Sequence, residues 1–295
     1  MPFDHVIHAL NPHSIYQIFI SPFVDYQFMR YSLYACMSLT LSCTLLGAFL
    51  VFKRLSLMGE ALSHGILPGV ALAFMGFGIS TIGFSVGGII AGLLVLILGF
   101  RLSKNESITQ DGALSVMYII FLSIGYLLLS KANTGVHLMH ILFGNVLAID
   151  HITLQFIIIV SLTSFLLMLL LAKPLLLASF DPILMRLKGY PVGRLEACYL
   201  FLVVINLVAA CQAIGTLMAL GIMLLPAITS RLLCHQFNKM ILMALSLGIV
   251  GNYLGILISY HYNLSTGPTI ILVLGTFFAL SYVTQTKHRH NRKIL

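Results

Sequence analysis

The feature that most constrains the fold is the recurrence of apolar, almost uncharged segments along the whole chain. An α-helix needs about 20 such residues to cross the hydrocarbon layer of a membrane, which is about 30 Å thick. Only 8% of the 295 residues are charged, against about 25% in soluble domains. Because only helices and closed barrels span lipid, and the segments have helix length, the sequence predicts an all-α, polytopic integral membrane protein.

Nine windows are candidates for membrane-crossing helices. They are 31–52, 55–78, 82–100, 113–130, 152–172, 195–213, 214–230, 240–260 and 268–284. The seventh window is short and opens at a break around Gly215, where a half-helix is an alternative to a full crossing. The sequence therefore predicts eight or nine transmembrane helices.

The basic residues are distributed unequally between the two ends of these windows. Alternating the windows across the membrane places all but two of the 16 Lys and Arg residues on one side, and leaves Arg30 and Lys131 on the other. The positive-inside rule then predicts an outside N-terminus and a cytoplasmic C-terminus. Merging the sixth and seventh windows would place Arg231 and Lys239 outside, which favours nine crossings.

Three regions are expected. They are an outside or interfacial segment at 1–29, a transmembrane domain at 30–284 that includes a cytoplasmic loop at 173–194, and a basic cytoplasmic tail at 285–295. The formal net charge is +8, but the basic residues lie between apolar windows and in the tail, without the clustering or aromatic interleaving of a nucleic-acid-binding face. Membrane lipid is expected as a partner, and nucleic acid is not.

Glu60 is the one carboxylate of eight that lies within a predicted span and not in a loop or at a span end. Even on the scales that give the lowest values, those from translocon insertion, a charged side chain at this depth costs about 2.5–3.5 kcal/mol. A carboxylate here therefore indicates a functional site. His64 lies four residues on, on the same helix face. Counting from Lys53 and Arg54, His64 is roughly 15 Å deep, near the midplane, where transporter sites lie. Carboxylate and imidazole together suit zinc, manganese or iron; a structural pair that binds nothing is the alternative.

Glycine and proline residues follow this pair closely. Pro68 has no N–H to offer to the carbonyl of His64, and Gly65 and Gly69 have the small-xxx-small spacing that lets another helix approach. Two more such positions, Gly215 and Pro226, occur later in the chain. Pro68, Gly215 and Pro226 are therefore places where helices can bend, unless they are static packing devices.

The loop at 173–194 carries the signals of its own short helix. Asp181 can cap the helix, Pro182 suits its first position, and Gly189 can end it. The apolar side chains of this helix are Ile183, Leu184 and Leu187. Such a helix would either lie on lipid headgroups or dock into a cytoplasmic partner, and the sequence leaves both possibilities open.

Signatures of catalysis are missing from the sequence. The chain has no glycine-rich Lys-Ser/Thr phosphate loop, no two-histidine zinc-protease helix and no flavin or nicotinamide fingerprint. We therefore expect the chain not to be an enzyme, and not to hydrolyse ATP by itself.

Four blocks of the sequence resemble the permease subunits of zinc- and manganese-type ABC importers. The first is FKRLSLMGEALSHGILPGVALAF at 52–74. The others are HILFGNVLA at 140–148, the segment 179–192, and 215–232 together with GPTI at 267–270. The blocks follow in the family's order over nearly the full chain, so the resemblance implies the fold of an ABC importer permease.

The resemblance also implies partners and a cargo. A homodimeric or pseudo-dimeric permease of the bacterial plasma (inner) membrane would work with two cytoplasmic ABC ATPase subunits and an extracytoplasmic metal-binding protein. The cargo would be a divalent ion of zinc, manganese or iron, with no permanently bound cofactor. The segment with Asp181 and Gly189 would couple to the ATPase. The family usually has aspartate at the position of Glu60, and this aspartate and the histidine at the position of His64 contact the metal.

Three other hypotheses remain at this point. A secondary transporter or channel would use Glu60 as a proton or cation site and would work without an ATPase. An intramembrane metalloenzyme would need a further ligand cluster or nucleophile beside Glu60 and His64. An ABC permease for a bulkier metal chelate is disfavoured only by the small polar content of the second window.

Overall fold

The computed structural model describes residues 16–17, 19–78, 80–103, 109–131, 146–234 and 236–294, and the regular elements in these ranges are helical. They are α1 (Ser21–Asp25), α2 (Gln27–Phe52), α3 (Ser56–Gly65), α4 (Leu67–Phe77), α5 (Thr81–Leu102), α6 (Gln110–Lys131), α7 (His151–Phe180), α8 (Pro182–Leu187), α9 (Val192–Ile214), α10 (Thr216–Leu233), α11 (Phe237–Tyr262) and α12 (Thr266–Ile294). A single 3-10 turn, Val146–Ala148, precedes α7.

Within the described ranges, eight helical segments are long and apolar enough to cross a membrane. They are α2, α3 with α4, α5, α6, α7, α9, α11 and α12. Helix α10 is shorter, with 18 residues, which corresponds to about 27 Å. The prediction of an all-α polytopic membrane protein with eight or nine crossings is confirmed.

Two helix boundaries differ from the predicted windows. Helix α2 begins at Gln27, inside the segment expected to lie outside. Helix α7 continues through Pro174 to Phe180, so the predicted loop at 173–194 begins inside it. A proline in a helix removes one hydrogen bond. Here the following turn is retained because Leu175 and Ala178 are buried against neighbouring helices, and tertiary packing overrides local propensity.

Helix α2 lies at the centre of one group of helices. It contacts α7, α9, α10 and α11, and α12 packs on α10 and α11. The second group consists of α3, α4, α5 and α6, in which α4 packs on α5 and α6 packs on the other three. Helix α9 contacts α5 as well as α7. It therefore connects the helices around α3 to the helices around α2.

The closest helix contact near the predicted metal pair joins α4 to α5. A Cβ atom added to Gly69 would overlap the backbone carbonyl of Gly87, and one added to Gly87 would overlap Gly69. Gly76 lies in the same helix as Gly69, but an added Cβ there would meet open space. The two glycines of α4 thus differ in what surrounds them.

We expect Gly69→Ala to lower the free energy of unfolding by about 1–3 kcal/mol, because the backbones of α4 and α5 must separate to admit the methyl group. Gly76→Ala is the matched control, and it should leave the stability unchanged or slightly raised. Thermal unfolding of both variants in detergent measures the difference. Equal stability of the two variants would contradict the close packing of α4 on α5.

Candidate functional site

Glu60 projects from the surface of a single chain. It lies in α3 and is exposed, whereas its chain neighbours Gly59 and Ala61 are buried. Leu57, one turn before Glu60, is 52% exposed. The outward face of this helix therefore carries a carboxylate inside a spanning segment, Ser56–Phe77. Because hydrocarbon solvates a carboxylate poorly, this face requires a polar partner or a water-filled path.

His64 lies at the edge of the same face, in the last turn of α3. Its side chain is 9% exposed, and its Nδ1 atom is buried without a hydrogen-bond partner. Its ring lies 5.3 Å from the ring of Tyr118 in α6. No ion pair joins Glu60 to His64 in the described part of the chain, where Lys53–Glu196 is the ion pair found. The Nδ1 atom of this imidazole is therefore a buried polar atom without a partner on the described part of the chain.

The helix is interrupted directly after this pair. Helix α3 ends at Gly65, and α4 begins at Leu67 with Pro68 in its first turn. Pro68 has no N–H for the carbonyl four residues before it. Only Ile66 separates the two helices. The break therefore leaves the His64 carbonyl without its usual intrahelical donor, next to the imidazole of the same residue.

Two glycine residues allow α5 and α6 to pack closely against the break between α3 and α4. A Cβ atom on Gly65 would lie 2.6 Å from Val95 Cγ2 of α5. On the other side, a Cβ atom on Gly125 of α6 would lie 2.9 Å from Leu67 Cβ. Close packing on both sides fixes the end of α3, and with it the position of His64.

One chain offers few metal ligands at this place. Among the described residues, no three His, Cys, Asp or Glu side chains are grouped so that they could hold an ion. Structural zinc sites have four protein ligands, and other transition metals also prefer several. Glu60 and His64 could therefore supply only part of a coordination shell.

Helix α8 forms where the capping signals predict a helix. The Asp181 Oδ1 atom accepts a hydrogen bond of 2.8 Å from the Leu184 amide. The helix ends at Leu187, and Gly189 adopts a φ of +79°, in the left-handed region that favours glycine. Pro182 lies at its start. The local sequence thus determines both ends of this helix.

Three apolar side chains of α8 point away from the protein. Ile183 is 70% exposed, Leu184 47% and Leu187 81%. Met185, which sequence reasoning did not single out, is 4% exposed and packs with Ala178 of α7 and Val192 of α9. Met185 therefore attaches α8 to the ends of α7 and α9, and the other apolar side chains form a free surface. Ile183, Leu184 and Leu187 thus leave much of their apolar surface uncovered within the described chain.

The two remaining candidate bends differ from each other. Gly215 has a φ of +83° and separates α9 from α10, so the chain changes direction where only glycine fits easily. Pro226 lies inside α10, which remains helical on both sides of it.

Comparisons with known proteins identify the family. A profile described as the ABC 3 transport family matches residues 25–285. The chain belongs to the ABC 3 transport family. Among curated members, a manganese import system permease protein, ScaB of Streptococcus parasanguinis, is 35% identical over 279 residues, which cover 94% of this chain and 98% of ScaB. A probable iron transport system membrane protein of Haemophilus influenzae is 32% identical over 258 residues, which cover 88% and 94% of the two chains.

A solved structure agrees with this ABC 3 assignment. PsaBC from Streptococcus pneumoniae, in complex with a Fab, superposes with a TM-score of 0.80 at 31% identity, covering 90% of this chain and 94% of the matched chain. The predicted resemblance to permeases of metal ABC importers, and the fold that it implies, are confirmed. Membership of the ABC 3 family favours an ABC permease over the secondary transporter and the intramembrane metalloenzyme.

Proposed function

We propose that the chain is the membrane-spanning permease subunit of a bacterial ABC importer that carries manganese or iron as divalent ions into the cytoplasm. The relatives named above are a manganese permease and an iron transport protein, and neither of their names includes zinc, the third metal that the sequence analysis expected. The observation that carries the proposal is the exposed carboxylate of Glu60 beside the buried, unpartnered Nδ1 atom of His64 in a spanning helix.

Two copies of the chain would complete the metal site. If the outward faces of α3 from two subunits approached each other, they would supply two carboxylates and two imidazoles. Manganese and iron accept both donor types. The same approach would remove Glu60 from lipid, and would so avoid the unfavourable free energy of a carboxylate exposed to hydrocarbon on a single chain. The proposed core is therefore a homodimer with the ion path between the subunits.

The other partners would bind at opposite ends of this dimer. Two ABC ATPase subunits would dock on α8. Three of its apolar side chains are exposed, and the contact of such a surface with water is unfavourable unless a partner covers it. An extracytoplasmic metal-binding protein would deliver the ion at the other end. ATP hydrolysis would belong to the ATPase subunits, and the C-terminus of this multi-pass plasma-membrane protein would be cytoplasmic.

A connected set of contacts would transmit the ATPase movement to the ion. A displacement of α8 acts through Met185 on Ala178 and Val192, at the ends of α7 and α9. Helix α9 contacts both α5 and α3. Movement of α9 would thereby reorient α3, so that Glu60 and His64 face first outward and then inward. Gly215, at the far end of α9, is a place where the chain can bend during this change.

ATP-dependent uptake into liposomes tests the proposed function. The permease is reconstituted with its ATPase and binding protein, and uptake of manganese, ferrous iron and zinc is measured with and without ATP. We expect manganese or iron to accumulate only with ATP. Uptake without ATP would instead indicate a secondary transporter, and uptake of iron only as a chelate would contradict a path for the bare ion.

A further inference from the structure

A cavity of about 440 Å³ opens at the end of the bundle where α8 lies, within the range of about 300–1,000 Å³ that ligand sites occupy. It lies between the ends of α2, α5 and α7 and the start of α9. Phe52, Phe100 and Leu200 contribute apolar walls, and Lys53, Arg54 and Glu196 contribute charges. The cavity therefore combines an apolar and a charged surface at the expected membrane boundary.

The charges of this cavity are not balanced. Lys53 Nζ lies 2.9 Å from Glu196 Oε1 and 6.0 Å from the centre of the Tyr199 ring. Arg54 is exposed, and no carboxylate of the described residues forms an ion pair with it. Two cations and one carboxylate on the walls leave a net charge of +1. An occupant with one negative charge would complement this wall.

The backbone at Arg54 adopts an unusual conformation for an arginine. Helix α2 ends with a hydrogen bond of 2.8 Å from the Leu55 amide to the Leu50 carbonyl, and Arg54 has a φ of +59°. This is a Schellman ending, in which the left-handed position is usually glycine. A non-glycine residue there costs about 1–2 kcal/mol. A non-glycine residue retained in this conformation marks position 54 as a candidate for a functional role.

We propose that this cavity binds the phosphate group of an anionic phospholipid. Basic pockets between spanning helices on the cytoplasmic side suit such headgroups. A phosphodiester with one negative charge balances the net charge of the wall, and the guanidinium group of Arg54 can bind it through two hydrogen bonds. Free phosphate offers the same charge but has no apolar part for Phe52, Phe100 and Leu200. The combination of apolar and charged residues in the lining therefore favours a phospholipid over free phosphate.

The position of the cavity connects the lipid to α8. Ala178 lines the cavity and is also the residue on which Met185 of α8 packs. A lipid in the cavity contacts the residue that supports α8 and restricts its movement. The lipid is therefore a structural component of the junction with the ATPase. This inference rests on the proposed cytoplasmic orientation of α8, but not on the identity of the transported metal.

Lipid binding to the assembled transporter tests the proposal without any metal present. Native mass spectrometry counts bound phosphatidylglycerol and phosphatidylcholine on the wild type, Arg54→Asn and Arg101→Asn. Asparagine tolerates the left-handed backbone at position 54, so folding should be retained. We expect Arg54→Asn to weaken phosphatidylglycerol binding about five-fold, as loss of one basic contact implies, and Arg54→Lys to retain most of it. Arg101→Asn removes a charge from the last turn of α5, outside the lining of the cavity, and should have no effect.

Three results would overturn the proposal. Equal binding of phosphatidylglycerol and phosphatidylcholine by the wild type would exclude recognition of charge. An equal loss in Arg54→Asn and Arg101→Asn would indicate general surface attraction rather than the cavity. Displacement of the lipid by millimolar inorganic phosphate would assign the site to free phosphate. Failure of metal uptake in the liposome assay would leave these lipid measurements unaffected, so the two proposals are tested separately.

Discussion

Glu60→Gln is expected to lower ATP-driven metal uptake by about 10- to 100-fold. Glutamine keeps the shape of the side chain but removes the charge, and one charged contact contributes about 1.5–3 kcal/mol. In a dimer the substitution removes both carboxylates at once. Uptake of manganese and ferrous iron into liposomes, compared at equal amounts of assembled transporter, measures the effect. His64→Ala should cause a loss of similar size, because it removes the unpartnered Nδ1 atom.

Two further variants decide what such a loss means. Glu60→Asp keeps the charge and shortens the side chain by one methylene, so uptake should continue, with a changed preference among metals. His151→Ala removes an exposed histidine at the start of α7 and should have no effect. If Glu60→Gln and His64→Ala both transported normally, the pair would be structural and the ion path would lie elsewhere.

Leu187→Asp is expected to weaken binding of the ATPase subunits about 30-fold. Leu187 is 81% exposed, more than Ile183 or Leu184, and a residue that forms the hot spot of an interface contributes at least about 2 kcal/mol. Co-purification of the permease with its ATPase, and ATP hydrolysis stimulated by the complex, measure the loss. Binding of metal by the permease should not change, because α8 packs mainly on α7 and α9 and Leu187 is exposed.

A leucine at another surface provides the control for this prediction. Leu264 is 53% exposed in the turn between α11 and α12. Leu264→Asp should leave the ATPase bound. Normal assembly of Leu187→Asp would show that α8 does not dock into the ATPase, and would support the alternative that it lies on lipid headgroups.

The short helix α8 illustrates what the sequence could predict. Asp181, Pro182 and Gly189 act through bonds and dihedral angles within a few residues, so neighbouring residues alone determine where the helix begins and ends. The spanning helices were predictable for a similar reason, because hydropathy over about 20 residues depends on no distant contact.

Features that depend on distant residues could not be predicted. The exposure of Glu60 results from the way α5, α6 and α9 cover the other faces of α3. The role of Met185 depends on Ala178 and Val192, and nothing in its own neighbourhood signals it. The continuation of α7 past Pro174 likewise requires the burial of Leu175. The roles of Glu60 and His64 in transport stay predictions until uptake is measured.

The length of α7 determines how far α8 stands from the middle of the membrane. Its 30 residues extend about 45 Å, which matches the thickness of a bilayer with both headgroup layers, about 40–45 Å. An upright α7 would act as a spacer that reaches from one aqueous boundary to the other. Its last turn, with Ala178, would then lie among the headgroups, and α8 would begin where they end. A soluble ATPase could then bind α8 without displacing the bulk lipid headgroups or the proposed lipid beside Ala178.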